Sequence, residues 1–161
     1  MLEDLVVNLG SLDDTARLGV AIGNISKEGD CICLSGNLGA GKTTLTQSIA
    51  IGLQVPPHCY ITSPTFAMMH VYSGRMALYH MDFYRLNGSS DIIDLGFEEY
   101  FYLDGLTVIE WAEVAVDILP KSRVEIDIKA TGEGTRKVHF FTENVELAER
   151  YKDMLLKFCK S

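Results

Sequence analysis

The chain has 161 residues and a mass of 17.9 kDa, with 47 % hydrophobic and 22 % charged residues, the proportions of an ordinary globular protein. That composition excludes a disordered chain, a collagen and a coiled-coil rod, and its length fits a single domain over residues 1–161. No apolar run reaches the roughly eighteen residues of a membrane span, and Met1-Leu2-Glu3-Asp4 is acidic where a leader would be basic, so a cytoplasmic protein without membrane attachment is expected.

In chain order, Leu5-Val6-Val7 reads as a short strand. Ser11 reads as the N-cap of a helix with Asp13 and Asp14 in its first turn, and Leu12, Ala16, Leu18, Val20 and Ile22 carry that helix to about Gly23. Cys31-Ile32-Cys33-Leu34 is a continuous apolar run, as in a strand covered on both faces. Cys31 and Cys33 then share one side of it as reduced core thiols, and the four cysteines, with Cys59 and Cys159, show neither zinc spacing nor a disulfide framework. A glycine-rich turn and a helix over Lys42 to Gly52 follow. Beyond the breaks at Pro56-Pro57 and Ser63-Pro64-Thr65, strands are expected over Phe66–Tyr72 and Met76–Met81, joined at Ser73-Gly74-Arg75. Asp91, Asp94, Glu98 and Glu99 read as a solvated acidic helix face. Leu106-Thr107-Val108-Ile109 is another buried strand, and the alternation of Val124, Ile126 and Ile128 with polar residues marks a half-exposed one. That strand turns through Thr131–Thr135 into Lys137–Phe141 as a hairpin, and Val145–Phe158 closes the chain as an amphipathic helix. The expected fold is α/β: a P-loop NTPase-like three-layer domain with a mixed sheet and antiparallel hairpins.

Gly36-Asn37-Leu38-Gly39-Ala40-Gly41-Lys42-Thr43 matches G-x-x-x-x-G-K-[ST] in full, between a buried strand and a helix. In that setting the glycines let successive N–H groups turn toward phosphate oxygens, Lys42 reaches the β- and γ-phosphates, and the Thr43 hydroxyl holds Mg²⁺. Hydrolysis also needs an acid at the end of a neighbouring strand. Asp82 and Glu110 both follow apolar runs, and residue types alone leave the metal role open between them. Trp111, next to Glu110, is either a buried ring or part of a site or interface. His80 reads as a core residue or a support for a neighbour, and His58, His70 and His139 show no metal-ligand spacing.

Charge narrows the function. Of the net −8, residues 81–119 carry nine acids against Arg85 alone, so tight direct binding of DNA or RNA is not expected, whereas a basic protein partner would be steered favourably. An Asn-Lys-x-Asp guanine-reading motif is missing, no arginine cluster forms a kinase lid, and a nucleic-acid motor would need more length and positive charge. A small-molecule kinase and a non-hydrolysing nucleotide sensor remain as alternatives to an ATPase.

The stretch Gly36–Thr44, Ser63-Pro64-Thr65-Phe66, His80-Met81-Asp82-Phe83-Tyr84-Arg85-Leu86 and Glu110-Trp111 resemble, in order and spacing, the TsaE (YjeE) family. The resemblance runs from about Ser11 to Arg136. It implies a weak ATPase that binds ATP or ADP with Mg²⁺ and serves the bacterial machinery making threonylcarbamoyladenosine in tRNA, beside the anticodon. It implies docking on the TsaB–TsaD pair, contact with tRNA only through that complex, and a hydrolysis cycle that resets the complex between turnovers. By the same resemblance, Asn37, Leu38, Gly39, Ala40, Gly41, Lys42, Thr43 and Thr44 form the phosphate loop, and Thr43 and Glu110 hold Mg²⁺. Ser63 to Phe66 match a mobile segment in which Thr65 senses the γ-phosphate. Asp82 and Arg85 are linked to hydrolysis and assembly, with Tyr84 and Trp111 beside them, while the stretch Ser11 to Thr15 and Arg136 fall where the adenine and its surroundings are expected. Asn37 departs from the acid common at that position, and no function carries over to the chain after Asn144.

Overall fold

The computed structural model describes residues 3–37, 39–64 and 66–161. Its frame is a seven-stranded sheet in the order β1-β7-β6-β2-β5-β4-β3, with β1 Glu3–Leu9, β2 Cys31–Ser35, β3 Met69–Ser73, β4 Ala77–Asp82, β5 Gly105–Glu110, β6 Val124–Ala130 and β7 Arg136–Thr142. The four central strands β6, β2, β5 and β4 run parallel, and β3, β7 and β1 are added by antiparallel pairing. The mixed sheet and both hairpins follow the sequence pattern. The strand expected from Phe66, however, starts only at Met69. Met68 sits at a left-handed φ of 67° with its N–H on the Pro64 carbonyl at 2.6 Å, a turn that an extended strand cannot contain.

Side-chain alternation divides the core into two layers. Ile32, Leu34, Leu78, Leu106 and Val108 face the helices α1 (Leu12–Ile25), α2 (Lys42–Gly52) and α4 (Val145–Lys160). Cys31, Cys33, Tyr79, Met81 and Ile109 face the other side, under the short α3 (Ser89–Asp94) and two 3₁₀ segments, Phe97–Tyr102 and Ala112–Ile118. The thiols are therefore packed core groups; the hydrogen bond with the Cys33 sulfur, together with burial, holds the Cys31 thiol well above its usual pKa. The acidic stretch is not one helix face, because Gly96, at a φ of 76°, separates α3 from the first 3₁₀ segment. Among the described residues no helix is long and apolar enough to cross a membrane.

Capping explains where the helices begin. The Ser11 hydroxyl accepts from the Asp14 N–H at 3.1 Å, and the Asn144 side-chain oxygen accepts from the Leu147 N–H at 2.9 Å. The carbonyl end of α1, which runs two residues beyond Gly23, is met by Arg75 of the β3–β4 hairpin, whose guanidinium donates to the carbonyls of Gly23, Asn24 and Ser26.

Helices α1 and α2 lie nearly backbone to backbone. A Cβ on Gly23 would stand 2.3 Å from the Ile49 carbonyl oxygen, and one on Gly52 would stand 2.3 Å from that of Val20. No rotamer relieves such an overlap, since the obstructing atoms are main chain. Overpacking of this kind costs roughly 3 kcal/mol, which in a domain of this size lowers the melting temperature by roughly 6–12 °C. Gly52→Val is expected to show that drop by circular dichroism; an unchanged melting curve would mean that the helices pack differently in solution.

Candidate functional site

The site lies beyond the carboxyl ends of the parallel strands, where open α/β sheets place their ligands. After β2 the chain must pass over β6 before entering α2, and only glycine fits at two points. A Cβ on Gly36 would stand 2.4 Å from the Ile128 carbonyl oxygen, and Gly41, the N-cap of α2, has a left-handed φ of 114°. No side chain caps α2, so its first-turn amides, which have no intrahelical acceptor, and the positive end of its dipole stand at a cleft lined by Gly41, Lys42, Thr43 and Thr44. Lys42 Nζ donates to the Gly36 carbonyl at 2.8 Å and lies 5.6 Å from the centre of the Trp111 ring. From the opposite side, Arg136 Nε donates to the Ala40 carbonyl at 2.6 Å and its Nη1 to that of Thr135 at 2.8 Å, tying β7 to the loop. Leu38 lies outside the described residues.

Asp82 and Glu110 end β4 and β5 and are direct partners in the parallel register. They share a strand face with Leu78, Leu106 and Val108, so both carboxylates emerge above the α1–α2 layer beside the phosphate loop, only 5 % and 4 % exposed. Asp82 Oδ1 accepts from the Tyr84 N–H at 2.9 Å, and Oδ2 accepts from the Ser63 hydroxyl at 3.2 Å. Glu110 Oε2 is bonded to His80 Nε2 at 2.8 Å. Ser63 thus connects the segment before β3 to the acid pair; Thr65, in that segment, lies outside the described residues.

Together these groups line a cleft of about 870 Å³. Its far wall comes from α1, where Leu12 presents an apolar surface and the buried Thr15 hydroxyl has no hydrogen-bond partner. Ser11 does not line it, its hydroxyl being occupied as the helix cap. Trp111, 40 % exposed and held at an unusual left-handed φ of 60°, lies on the rim with its ring 4.9 Å from that of Tyr84. Arg85 lies outside the cleft, its guanidinium 4.3 Å above the ring of Phe66, which is 80 % exposed. Asn37 and Gly39 line the mouth, whereas Ala40 is buried and takes part through its carbonyl. Leu12 and Thr15, within the Ser11 to Thr15 stretch expected near the adenine, both line the cleft. The His80–Glu110 bond is not read from the sequence; its one signal there is the two-residue spacing that puts His80 on the face of Asp82.

A parallel strand, a G-x-x-x-x-G-K-T loop and a helix set in a mixed, helix-covered sheet define the P-loop class of α/β domain. The chain belongs to the TsaE family, whose model, described as threonylcarbamoyl adenosine biosynthesis protein TsaE, matches residues 9–138. The tRNA threonylcarbamoyladenosine biosynthesis protein TsaE of Treponema pallidum (strain Nichols) is 42 % identical over 128 residues, which cover 80 % of this chain and 93 % of that protein. The protein of the same name from Bacillus subtilis (strain 168) is 39 % identical over 129 residues, covering 80 % and 79 % respectively. The crystal structure of Bacillus subtilis YdiB superposes with a TM-score of 0.75 at 32 % identity, over 99 % of this chain and 97 % of that one.

Trp111 is the single tryptophan, and it lies on the cleft beside Lys42. An anionic ligand that draws Lys42 away from Gly36 changes the charge next to the indole. If the cleft takes a nucleotide, titration with ADP is expected to shift the intrinsic tryptophan emission saturably, and Trp111→Phe to remove the signal; an emission blind to ADP would count against the cleft as a nucleotide site.

Proposed function

We propose that this protein is a Mg²⁺-dependent ATPase required for threonylcarbamoyladenosine modification of tRNA at the adenosine beside the anticodon, acting with TsaB and TsaD, with hydrolysis resetting the complex between turnovers. The observation that carries the reading is the meeting of an uncapped α2 amino end and Lys42 with an in-register acid pair in one cleft, in a chain of this family. Lys42 and the loop amides bind the β- and γ-phosphates of ATP, or the β-phosphate of ADP. Leu12, Thr15 and Arg136 border the adenosine end, where the unpartnered Thr15 hydroxyl offers the base or sugar a hydrogen bond.

The donors beside the phosphates are all oxygens, the Thr43 hydroxyl and two carboxylates, a set that suits Mg²⁺, which takes one or two carboxylates and completes its shell with phosphates and water. Thr43 and Glu110 would hold the ion, which supplies charge neutralisation on the transferring phosphoryl group. Asp82 is left to orient the attacking water. Its bond to the Ser63 hydroxyl supports a coupling between the acid and the segment in which Thr65 senses the γ-phosphate. The exposed aromatic and basic groups at the rim of the cleft, Tyr84 and Trp111, and beyond it, Arg85, form the face offered to TsaB and TsaD; tRNA is reached only through that complex.

The decisive experiment is ATP hydrolysis by the protein alone and then with TsaB and TsaD. Slow turnover that rises with the partners is expected; turnover indifferent to them, without co-elution, would overturn the complex-dependent reading and favour a small-molecule kinase. Lys42→Ala removes a charge-assisted hydrogen bond of about 1.5–3 kcal/mol. It is expected to weaken ATP binding about 10–100-fold and to abolish turnover, and full ATPase activity in that variant would sink the phosphate-loop assignment. Glu110→Ala is expected to impair Mg²⁺-dependent turnover more than binding of free nucleotide, and a magnesium dependence equal to wild type would move the metal role to Asp82.

A further inference from the structure

Among the described residues His80 is the one histidine that sits in the interior, wholly buried third from the end of β4, two residues from Asp82 and on the same face. Its Nε2 lies 2.8 Å from Glu110 Oε2, and its Nδ1 is buried without a hydrogen-bond partner. A carboxylate only accepts, so the imidazole is the donor and the ring carries its proton on Nε2. All of the ring's polar capacity is thus spent on one carboxylate oxygen, while the other nitrogen bears the cost of burial unrelieved. An aliphatic side chain would fill this place at lower cost if packing were the only demand.

We infer that His80 is a positioning residue for Mg²⁺: by holding Glu110 Oε2 it fixes the carboxylate so that its remaining capacity is presented to the ion in the cleft. The inference rests on the reading of Glu110 as a metal-holding group. The local geometry supports it in two respects. Glu110 is the last residue of β5, followed by Trp111 in a left-handed conformation, so its main chain leaves the sheet there and the side chain has no further strand neighbour along β5 to brace it. The neighbouring carboxylate, Asp82, takes its donors from Ser63 and Tyr84, and so has an independent means of orientation. His80 therefore acts on one acid of the pair. Hydrogen-bonding partners of this kind behind a metal ligand are worth about 10–100-fold in metal affinity.

The test is the affinity of a fluorescent ADP analogue with and without Mg²⁺, measured on the intact protein for wild type, Glu110→Gln, His80→Leu, His80→Gln and His80→Asn, with thermal melting alongside. The quantity read is the ratio of the two affinities, which loss of stability alone does not move. His80→Leu is expected to leave Mg²⁺-free affinity unchanged and to lower the ratio by about 10-fold or more. His80→Gln places an amide nitrogen close to where Nε2 stood and is expected to restore the ratio to within about 3-fold of wild type, whereas His80→Asn, with its amide at the Nδ1 position, is expected to fail. A wild-type ratio in His80→Leu overturns the inference. Should that variant not fold, equal ratios in His80→Gln and His80→Asn overturn it. A ratio that Glu110→Gln leaves unchanged overturns the metal role of Glu110 itself, and a ratio lowered by Glu110→Gln but not by His80→Leu leaves that role standing and removes His80 from it.

Discussion

Two carboxylates held side by side and out of water are the constraint around which this site is built. Parallel strands in register lie about 4.8 Å apart, and unit charges at such a spacing repel by roughly 3 kcal/mol at an effective dielectric of about 20. Desolvation of each group adds to that cost. The fold offsets it with donors placed by the backbone: the Tyr84 amide and Ser63 hydroxyl on Asp82, the His80 ring on Glu110, and the Lys42 ammonium and first turn of α2 across the cleft. An uncapped helix end and an acid pair are each unfavourable alone. Facing one another, they set unpaired amides against carboxylates in one cleft, the arrangement on which the proposed binding of nucleotide and Mg²⁺ rests.

The register that creates the pair also explains how the sheet carries it. Leu34, Glu110 and Asp82 stand abreast on β2, β5 and β4, so one row of the sheet contains the last core residue before the phosphate loop and both acids. Slipping β4 or β5 by a single residue would turn its acid onto the face occupied by Cys33 and Met81, under the 3₁₀ segments. The apolar residues below, Leu78, Leu106 and Val108, specify the register through their burial beneath α1 and α2. Core packing and site geometry are therefore set by the same alternation.

That alternation was legible in the sequence, which is why the central strands, both hairpins and the phosphate loop could be read from residue patterns. The loop stood out because close approach of Gly36 to β6 and the left-handed Gly41 demand glycine, and such demands leave a sequence signature. What stayed hidden depends on contacts between distant segments. The Arg136 bond to Ala40 spans 96 residues and could not be inferred from either neighbourhood, and the false start of β3 at Phe66 came from apolar residues that the Pro64–Met68 turn leaves outside the sheet. Phe66 illustrates the same limit: an aromatic residue that pattern reading places in a strand stands on the surface, under the guanidinium of Arg85 from a different segment.

The bonds made by Lys42 and Arg136 differ in what a ligand can do with them. Arg136 grips the Ala40 carbonyl from β7 and is tied to its own turn through Thr135, so it braces the loop from outside whichever ligand is bound. Lys42 instead donates inward, to the Gly36 carbonyl of its own loop, beside the cleft. A phosphate that recruits Lys42 exchanges a bond to a neutral carbonyl for one to an anionic oxygen, so only the difference between them contributes to affinity. The loop thus keeps its shape through Arg136 and its glycines, and in the proposed ATPase Lys42 would be released to follow the charge on the phosphates. An interaction that strengthens as charge accumulates is one that favours a transition state over a bound substrate.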